Sequence, residues 1–186
     1  METEILIYDG CDDLDVFGPF EVLTGAGMAV RLVTADPREE VVTAGGARIV
    51  PHAVLGDPDL VLVPGGGWNQ RPESGAWAEA QRGVIGEAMK ARQEAGRPLG
   101  SICTGAMLLA HAGLLRGRRA ITHHEALDDL ERYGAEVMHG ERFVDDGDII
   151  TAGGVTSGID MALWLVEREL GAQTATEQRE VIEWAR

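Results

Sequence analysis

The segment Asp59-Leu-Val-Leu-Val63 constrains the fold of this chain most strongly, because all four residues after the aspartate are apolar. A strand without polar alternation is buried on both faces, which is typical of the centre of a parallel sheet covered by helices. Further apolar strand segments at 4–8, 29–34 and 97–102 alternate with helix-forming runs. This alternation predicts an α/β fold with a mostly parallel sheet. The chain of 186 residues suits one domain, 1–186.

The other elements are predicted from apolar periodicity and from turn residues. Hairpins are expected around residues 41–50 and 143–151, and a short strand over Arg119–Thr122. Helices are predicted over Asp15–Gly25, roughly Gly75–Ala95, Glu125–Tyr133, Ser157–Leu170 and Thr174–Trp184.

Residues 101–105, Ser-Ile-Cys-Thr-Gly, lie where an apolar strand passes into a helix-forming run. Small residues two positions before and two after Cys103 fit a nucleophile elbow, with cysteine in place of serine. We expect the turn to point the Cys103 thiol at a helix N-terminus, where the macrodipole favours the thiolate. The alternative is a buried structural thiol, the state of most free cysteines. Cys11 lacks this context and is predicted to be such a thiol.

Three other loops follow strands, and sites in open α/β sheets form beyond the carboxyl ends of the strands. The loop after Tyr8 leads to Asp15, which ends an acidic cluster that would ordinarily be solvated. Because apolar residues follow Asp15, we expect its side chain to face inward. A carboxyl group beside a thiolate would have a raised pKa and would stay protonated as a proton donor.

The second loop carries Gly65, Gly66 and Gly67, and the third carries His123. The glycines could form a phosphate loop or a flexible turn, but they lack the Gly-Lys-Ser/Thr that follows in a P-loop. We favour a third interpretation, in which their N–H groups and that of Thr104 form an oxyanion-hole-like pocket beside the cysteine. His123 is interpreted either as a residue that orients or deprotonates Cys103, or as a hydrogen-bonded wall of the pocket. No partner stands at zinc-ligand spacing, so no metal site is predicted.

Composition excludes several classes of partner. The net charge of −15 argues against binding to nucleic acid or to anionic membrane surfaces. No apolar run approaches the ~18 residues of a membrane span, and no basic region of a signal peptide precedes Ile5. The two cysteines are expected to be free thiols in a reducing cytoplasm.

Four motifs together resemble the ThiJ/PfpI superfamily, also called DJ-one/PfpI, of the class I glutamine amidotransferase-like fold. They are Leu14-Asp15-Val-Phe-Gly-Pro-Phe-Glu-Val22, Val63-Pro-Gly-Gly-Gly67, Ile102-Cys-Thr-Gly105 and Gly153-Gly-Val-Thr-Ser-Gly-Ile-Asp160. The resemblance implies a flavodoxin-like three-layer α/β sandwich that is usually a homodimer, acts on a small molecule and needs no cofactor.

Within that superfamily the chain is most similar to the isonitrile hydratase-like branch. The resemblance implies that Cys103, Thr104 and Asp15 are the catalytic residues, and that isonitriles are hydrated to N-substituted formamides. The protease branch has histidine where Thr104 stands, and the deglycase-like sensor branch usually has glutamate where Asp15 stands. The alternatives are a non-enzymatic redox- or ligand-sensing protein, and a glyoxalase- or deglycase-type enzyme.

Overall fold

A computed structural model describes residues 1–185; Arg186, the last residue of the predicted domain, lies outside the described residues. Eleven strands and seven α-helices make up this part of the chain. The strands are β1 (Glu2–Leu6), β2 (Ala29–Thr34), β3 (Val41–Val42), β4 (Arg48–Ile49), β5 (Ala53–Val54), β6 (Leu60–Val63), β7 (Leu99–Ile102), β8 (Arg119–Ala120), β9 (Glu136–Val137), β10 (Phe143–Asp145) and β11 (Ile149–Ala152). The helices are α1 (Asp13–Gly25), α2 (Ala76–Arg82), α3 (Val84–Glu94), α4 (Gly105–His111), α5 (Leu127–Arg132), α6 (Ser157–Leu170) and α7 (Ala172–Val181).

The central sheet has seven strands in the order β10-β11-β7-β6-β1-β2-β5, and only the β10–β11 pair is antiparallel. Strand β6 is the fourth of the seven, and each of its four residues is buried. The prediction from the uninterrupted apolar run is therefore confirmed. Its neighbours β1 and β7 are both parallel to it, so the loops that follow all three strands meet at one edge of the sheet.

Helices cover both faces of this sheet. Helix α6 packs against α1 and α7, whereas α4 packs against α2, α3 and α5. The result is the predicted flavodoxin-like three-layer α/β sandwich with a mostly parallel sheet. None of the helices within residues 1–185 is long and apolar enough to cross a membrane.

Two predictions of local structure are wrong. The long helix expected over residues 75–95 is two helices, because Gly83 has a φ of 77° and this left-handed backbone separates α2 from α3. The strand expected over residues 119–122 is only two residues long and pairs with β9 outside the central sheet. The loop that carries His123 therefore does not follow a strand of the main sheet. The two predicted hairpins are confirmed as β3–β4 and β10–β11.

Candidate active site

Cys103 lies in a strained turn between β7 and α4. Its φ is 54°, a left-handed conformation that costs a non-glycine residue about 1–3 kcal/mol. Hydrogen bonds hold the turn: the Cys103 N–H donates to the carbonyls of Ala152 (3.1 Å) and Gly153 (2.9 Å), and its carbonyl accepts from the Thr122 hydroxyl (2.9 Å). This is the geometry of the nucleophile elbow predicted from the sequence.

The elbow needs glycines because two backbone segments approach it closely. A Cβ on Gly105 would lie 2.0 Å from the Val63 carbonyl oxygen, and one on Gly65 would lie 2.5 Å from the Thr104 nitrogen. Only glycine lets the start of α4 pack directly on the loop after β6. The cysteine loop and the glycine loop are thereby fixed against each other.

Asp15 lies in the first turn of α1, behind the cysteine, and its side chain is fully buried. Its Oδ2 accepts the Gly65 N–H at 3.0 Å. Within residues 1–185 its Oδ1 has no hydrogen-bond partner of normal geometry, although it is buried. An ionised carboxylate with an unpartnered buried oxygen is costly, and protonation removes that cost.

The charge state of Asp15 follows from this environment. Burial, together with the nearby charge of Asp12, raises the pKa of Asp15 well above its usual range, while the Gly65 N–H and the Cys103 thiol oppose the rise. The carboxyl group therefore retains its proton above the pH at which an exposed aspartate ionises. The expectation that Asp15 faces inward is confirmed, and its raised pKa fits the predicted proton donor.

The charge state of Cys103 differs from the prediction. Burial, and then the Asp15 charge, raise the pKa of the thiol to about 12, and the N–H groups of Val155 and Thr104 lower it by less. The expectation of a resting thiolate is wrong, because desolvation outweighs the donors at the start of the seven-residue helix α4. This raised pKa favours the thiol over the thiolate in the resting site.

The glycine loop plays a different part from the predicted one. The Gly65 N–H donates to Asp15, and the Gly66 N–H donates to the Thr104 Oγ1 at 2.9 Å. These two groups are occupied, so their predicted role as oxyanion donors is wrong. The Gly67 N–H has no acceptor within residues 1–185 and remains a candidate donor. Around the sulfur itself, the donors are the N–H groups of Thr104 and Val155.

A cavity of about 150 Å³ lies above the Cys103 thiol, which is 7 % exposed. Thr104, Gly67, His123 and Trp68 form part of its wall. Asp12 and Glu125 also line it, and no lysine or arginine does so within the described part of the chain.

Hydrogen bonds join the wall of this cavity to α5 and to the residues just before it. The Trp68 indole N–H donates to Asp129 at 2.9 Å, and the Asn69 amide donates to the Glu125 carbonyl at 3.0 Å. Trp68 itself is buried. These contacts hold the loop after Gly67 in place over the cysteine.

His123 is a wall of the cavity. Its Nδ1 accepts the Glu125 N–H at 3.3 Å, and burial, followed by the neighbouring His124, lowers its pKa. No hydrogen bond joins His123 to Cys103 anywhere in residues 1–185, so the contact needed to deprotonate the thiol is missing in the resting site. No cluster of three metal-ligating side chains occurs in the same range.

Val155 is the site residue that the sequence analysis missed. It has a φ of 44°, its N–H faces the Cys103 sulfur, and the residue lines the cavity. In the sequence, Val155 is indicated by its position directly after Gly153-Gly154. These glycines follow β11, which pairs with β7, the strand that precedes Cys103. A valine in a left-handed conformation cannot be read from sequence, because β-branched residues rarely adopt it.

Comparisons with known proteins identify the family of this chain. The profile of the DJ-1/PfpI family matches residues 2–168. The chain is 32% identical to isonitrile hydratase of Pseudomonas putida, over 100% of this chain and 79% of the relative. It is 29% identical to the glutathione-independent glyoxalase DJR-1.2 of Caenorhabditis elegans, over 86% of this chain and 83% of that protein. Among solved structures, a THiJ/PfpI family protein from Pseudomonas syringae superposes with a TM-score of 0.84 at 28% identity, covering 100% of this chain and 76% of the other. The chain belongs to the DJ-1/PfpI family.

Proposed function

We propose that this protein is a cysteine-dependent hydratase that converts isonitriles, R–NC, to N-substituted formamides. One observation supports this function above others: the buried Asp15 carboxyl group, whose pKa is raised by burial, lies beside the thiol of Cys103, and Cys103 lines a cavity. The terminal carbon of an isonitrile must receive both a proton and a nucleophile. A thiol and a carboxylic acid side by side can supply both to the same atom.

In the first step Asp15 donates its proton to the isonitrile carbon while the Cys103 sulfur attacks that carbon. One C–H bond and one C–S bond form, and the thiol proton passes to the Asp15 carboxylate. The product is a thioimidate, R–N=CH–S–Cys103. A resting thiol serves this step well, because its proton replaces the one that Asp15 gives up.

In the second step water adds to the thioimidate carbon and the nitrogen gains a proton. The C–S bond then breaks, the thiol is restored and the formamide R–NH–CHO leaves. We assign Thr104 the role of positioning this water, because its Oγ1 accepts the Gly66 N–H and its own O–H has no acceptor within the described chain. The Gly67 N–H is the remaining loop donor that can stabilise developing charge.

The electrostatics of the cavity favour an uncharged substrate. Asp12 and Glu125 line it, and no basic side chain among the described residues balances them. An anionic substrate would be repelled, whereas an isonitrile carries no net charge. We infer a small, neutral molecule as the partner and no cofactor.

The test is to mix purified protein with cyclohexyl isocyanide and follow N-cyclohexylformamide by NMR against a protein-free blank. Catalytic formation of the formamide is expected. If no formamide forms with any of several isonitriles, the hydratase proposal is wrong.

A glyoxalase-type activity is the second candidate, because a relative that is 29% identical carries that name. The same thiol could add to the aldehyde of methylglyoxal, with Asp15 as the proton donor. Incubation with methylglyoxal and detection of lactate separates this activity from isonitrile hydration.

Peroxide treatment followed by intact-mass measurement tests the sensing alternative, for which stable, stoichiometric oxidation of Cys103 without turnover is expected.

We also propose that the protein is a homodimer in the cytoplasm, where two free thiols persist. Light scattering at micromolar concentration tests the dimer: the expected mass is twice 19.9 kDa, and a monomer would contradict it.

A further inference from the structure

A second cavity, of about 410 Å³, adjoins the cavity above Cys103. His123 and Val155 line both cavities, and we call this shared boundary the partition. The second cavity is also lined by the apolar residues Ile121 and Leu127 and by the polar or charged residues His124, Glu141 and Arg142. The mechanism above assigns no role to this space.

Close contacts and hydrogen bonds hold this partition in place. Gly154 lets His123 lie directly against the loop, since a Cβ there would be 2.6 Å from the His123 Cδ2. Arg142 ties the same loop down, because its guanidinium donates to Thr156 at 2.9 Å and to Asp160 at 2.7 Å. These contacts hold Val155 at a φ of 44°.

Such backbone strain in a β-branched residue persists only where surrounding contacts impose it, and it clusters at functional sites. Val155 places its N–H toward the Cys103 sulfur, and the same residue lines both cavities. A glycine would meet the backbone requirement without strain, but it would leave no side chain in the partition.

We propose that Val155 determines substrate specificity by limiting access from the Cys103 cavity to the second cavity, which binds the N-substituent of larger isonitriles. The inference rests on the proposed hydratase function and specifies its substrate class: uncharged isonitriles with a long or ring-bearing substituent. The first cavity, of about 150 Å³, holds the reacting carbon, and Ile121 and Leu127 offer apolar surface to the substituent.

The test compares kcat/KM for 2-naphthyl isocyanide with that for methyl isocyanide, as a ratio, in three variants. Comparing ratios between variants cancels the different intrinsic reactivities of the two compounds.

V155G keeps the N–H and removes the partition, so the ratio is expected to rise about tenfold. L127W fills the second cavity from α5, so the ratio is expected to fall about tenfold. L170W is the matched control, since Leu170 is an exposed residue of α6 that lines neither cavity, and its ratio is expected to equal that of the wild type.

A second readout does not depend on hydration. Peptide mapping measures how fast Cys103 is alkylated by N-naphthyl iodoacetamide and by iodoacetamide, and the ratio of the two rates is expected to shift in the same directions. If no isonitrile is hydrated but this ratio shifts, the hydratase proposal fails and the role of Val155 stands. If formamide forms but V155G and L127W leave both ratios at the wild-type value, the specificity proposal is overturned and the hydratase stands.

Discussion

The two cysteines of this protein lie in loops at the same edge of the sheet, and burial raises the pKa of both thiols, but their surroundings differ. Burial is the largest cause in both cases and raises the pKa of Cys11 and of Cys103 to about 12. Cys11 is completely buried, whereas Cys103 is 7 % exposed and opens onto a cavity. The difference in function that we propose is therefore argued from the surroundings of the two thiols and not from their pKa values.

Geometry separates the two thiols. Cys103 has a left-handed backbone and its thiol lies next to the Asp15 carboxyl group, where it affects the pKa of that group. Cys11 lies in a loop whose backbone bonds to Tyr8 and Ala44, and its φ is not positive. Access to a cavity and the adjacent Asp15 carboxyl group, rather than a low pKa, distinguish Cys103 from Cys11.

The largest expected effect is the loss of activity when the Cys103 thiol is removed, compared with removal of the Cys11 thiol. Cys103→Ala should lower kcat for isonitrile hydration by about a thousandfold or more, because the step that forms the thioimidate is lost. Cys11→Ala is the matched control and should keep near-wild-type kcat while lowering the free energy of unfolding, because it leaves a small cavity. Formamide production and urea denaturation measure the two quantities. Equal loss of activity in both variants would contradict the assignment of roles.

Asp15→Asn should lower kcat about 10²- to 10⁴-fold, the range expected for loss of a positioned proton donor. Asparagine has nearly the same shape, and its amide oxygen can still accept the Gly65 N–H, so the fold should be retained. Near-UV circular dichroism checks the fold, and initial rates check the activity. A variant that folds and turns over at the wild-type rate would remove Asp15 from the mechanism.

The same carboxyl group should make stability depend on pH. Because the pKa of Asp15 is raised in the folded state, the folded chain holds a proton that the unfolded chain has released. This contribution to stability is complete at acidic pH and is lost as pH rises from the ordinary carboxyl pKa toward the raised value, by up to about 1.4 kcal/mol per pH unit. The difference in free energy of unfolding between wild type and Asp15→Asn, measured from pH 4 upward, should show this slope. A difference that is independent of pH would mean that Asp15 is ionised when the protein folds.

The smallest expected effect concerns backbone strain. Cys103→Gly should be more stable than Cys103→Ala by about 1 kcal/mol, because glycine adopts a φ of 54° without cost. At Cys11, where φ is not positive, glycine should instead be less stable than alanine by about 0.5–1 kcal/mol. Thermal unfolding of the four variants measures both differences. The same sign at both positions would contradict the elbow geometry.

Features set by short-range pattern could be predicted from the sequence. The apolar run at 60–63 fixes the central strand, and the small residues around Cys103 fix the elbow. The apolar residues after Asp15 indicate that its side chain faces inward. Each of these follows from a local rule about burial or steric fit.

Features that depend on competition between distant groups could not be predicted. The thiolate expected at Cys103 fails because burial and Asp15, brought together only by the fold, outweigh the helix N-terminus. The donor role expected of Gly65 and Gly66 fails because Asp15 and Thr104 occupy their N–H groups. The strain at Val155 is imposed by loops that are distant in sequence, so no local pattern reveals it.

The covalent intermediate offers the most direct test of the claim that Cys103, and not Cys11, is the nucleophile. Protein mixed with excess cyclohexyl isocyanide is quenched in acid within the first turnover, digested and mapped by mass spectrometry. We predict an increase equal to one isonitrile on the peptide that carries Cys103, none on the peptide that carries Cys11, and loss of the adduct as formamide appears. Formamide production at the wild-type rate by Cys103→Ala, with no adduct on Cys103 in the native protein, would contradict the proposed mechanism.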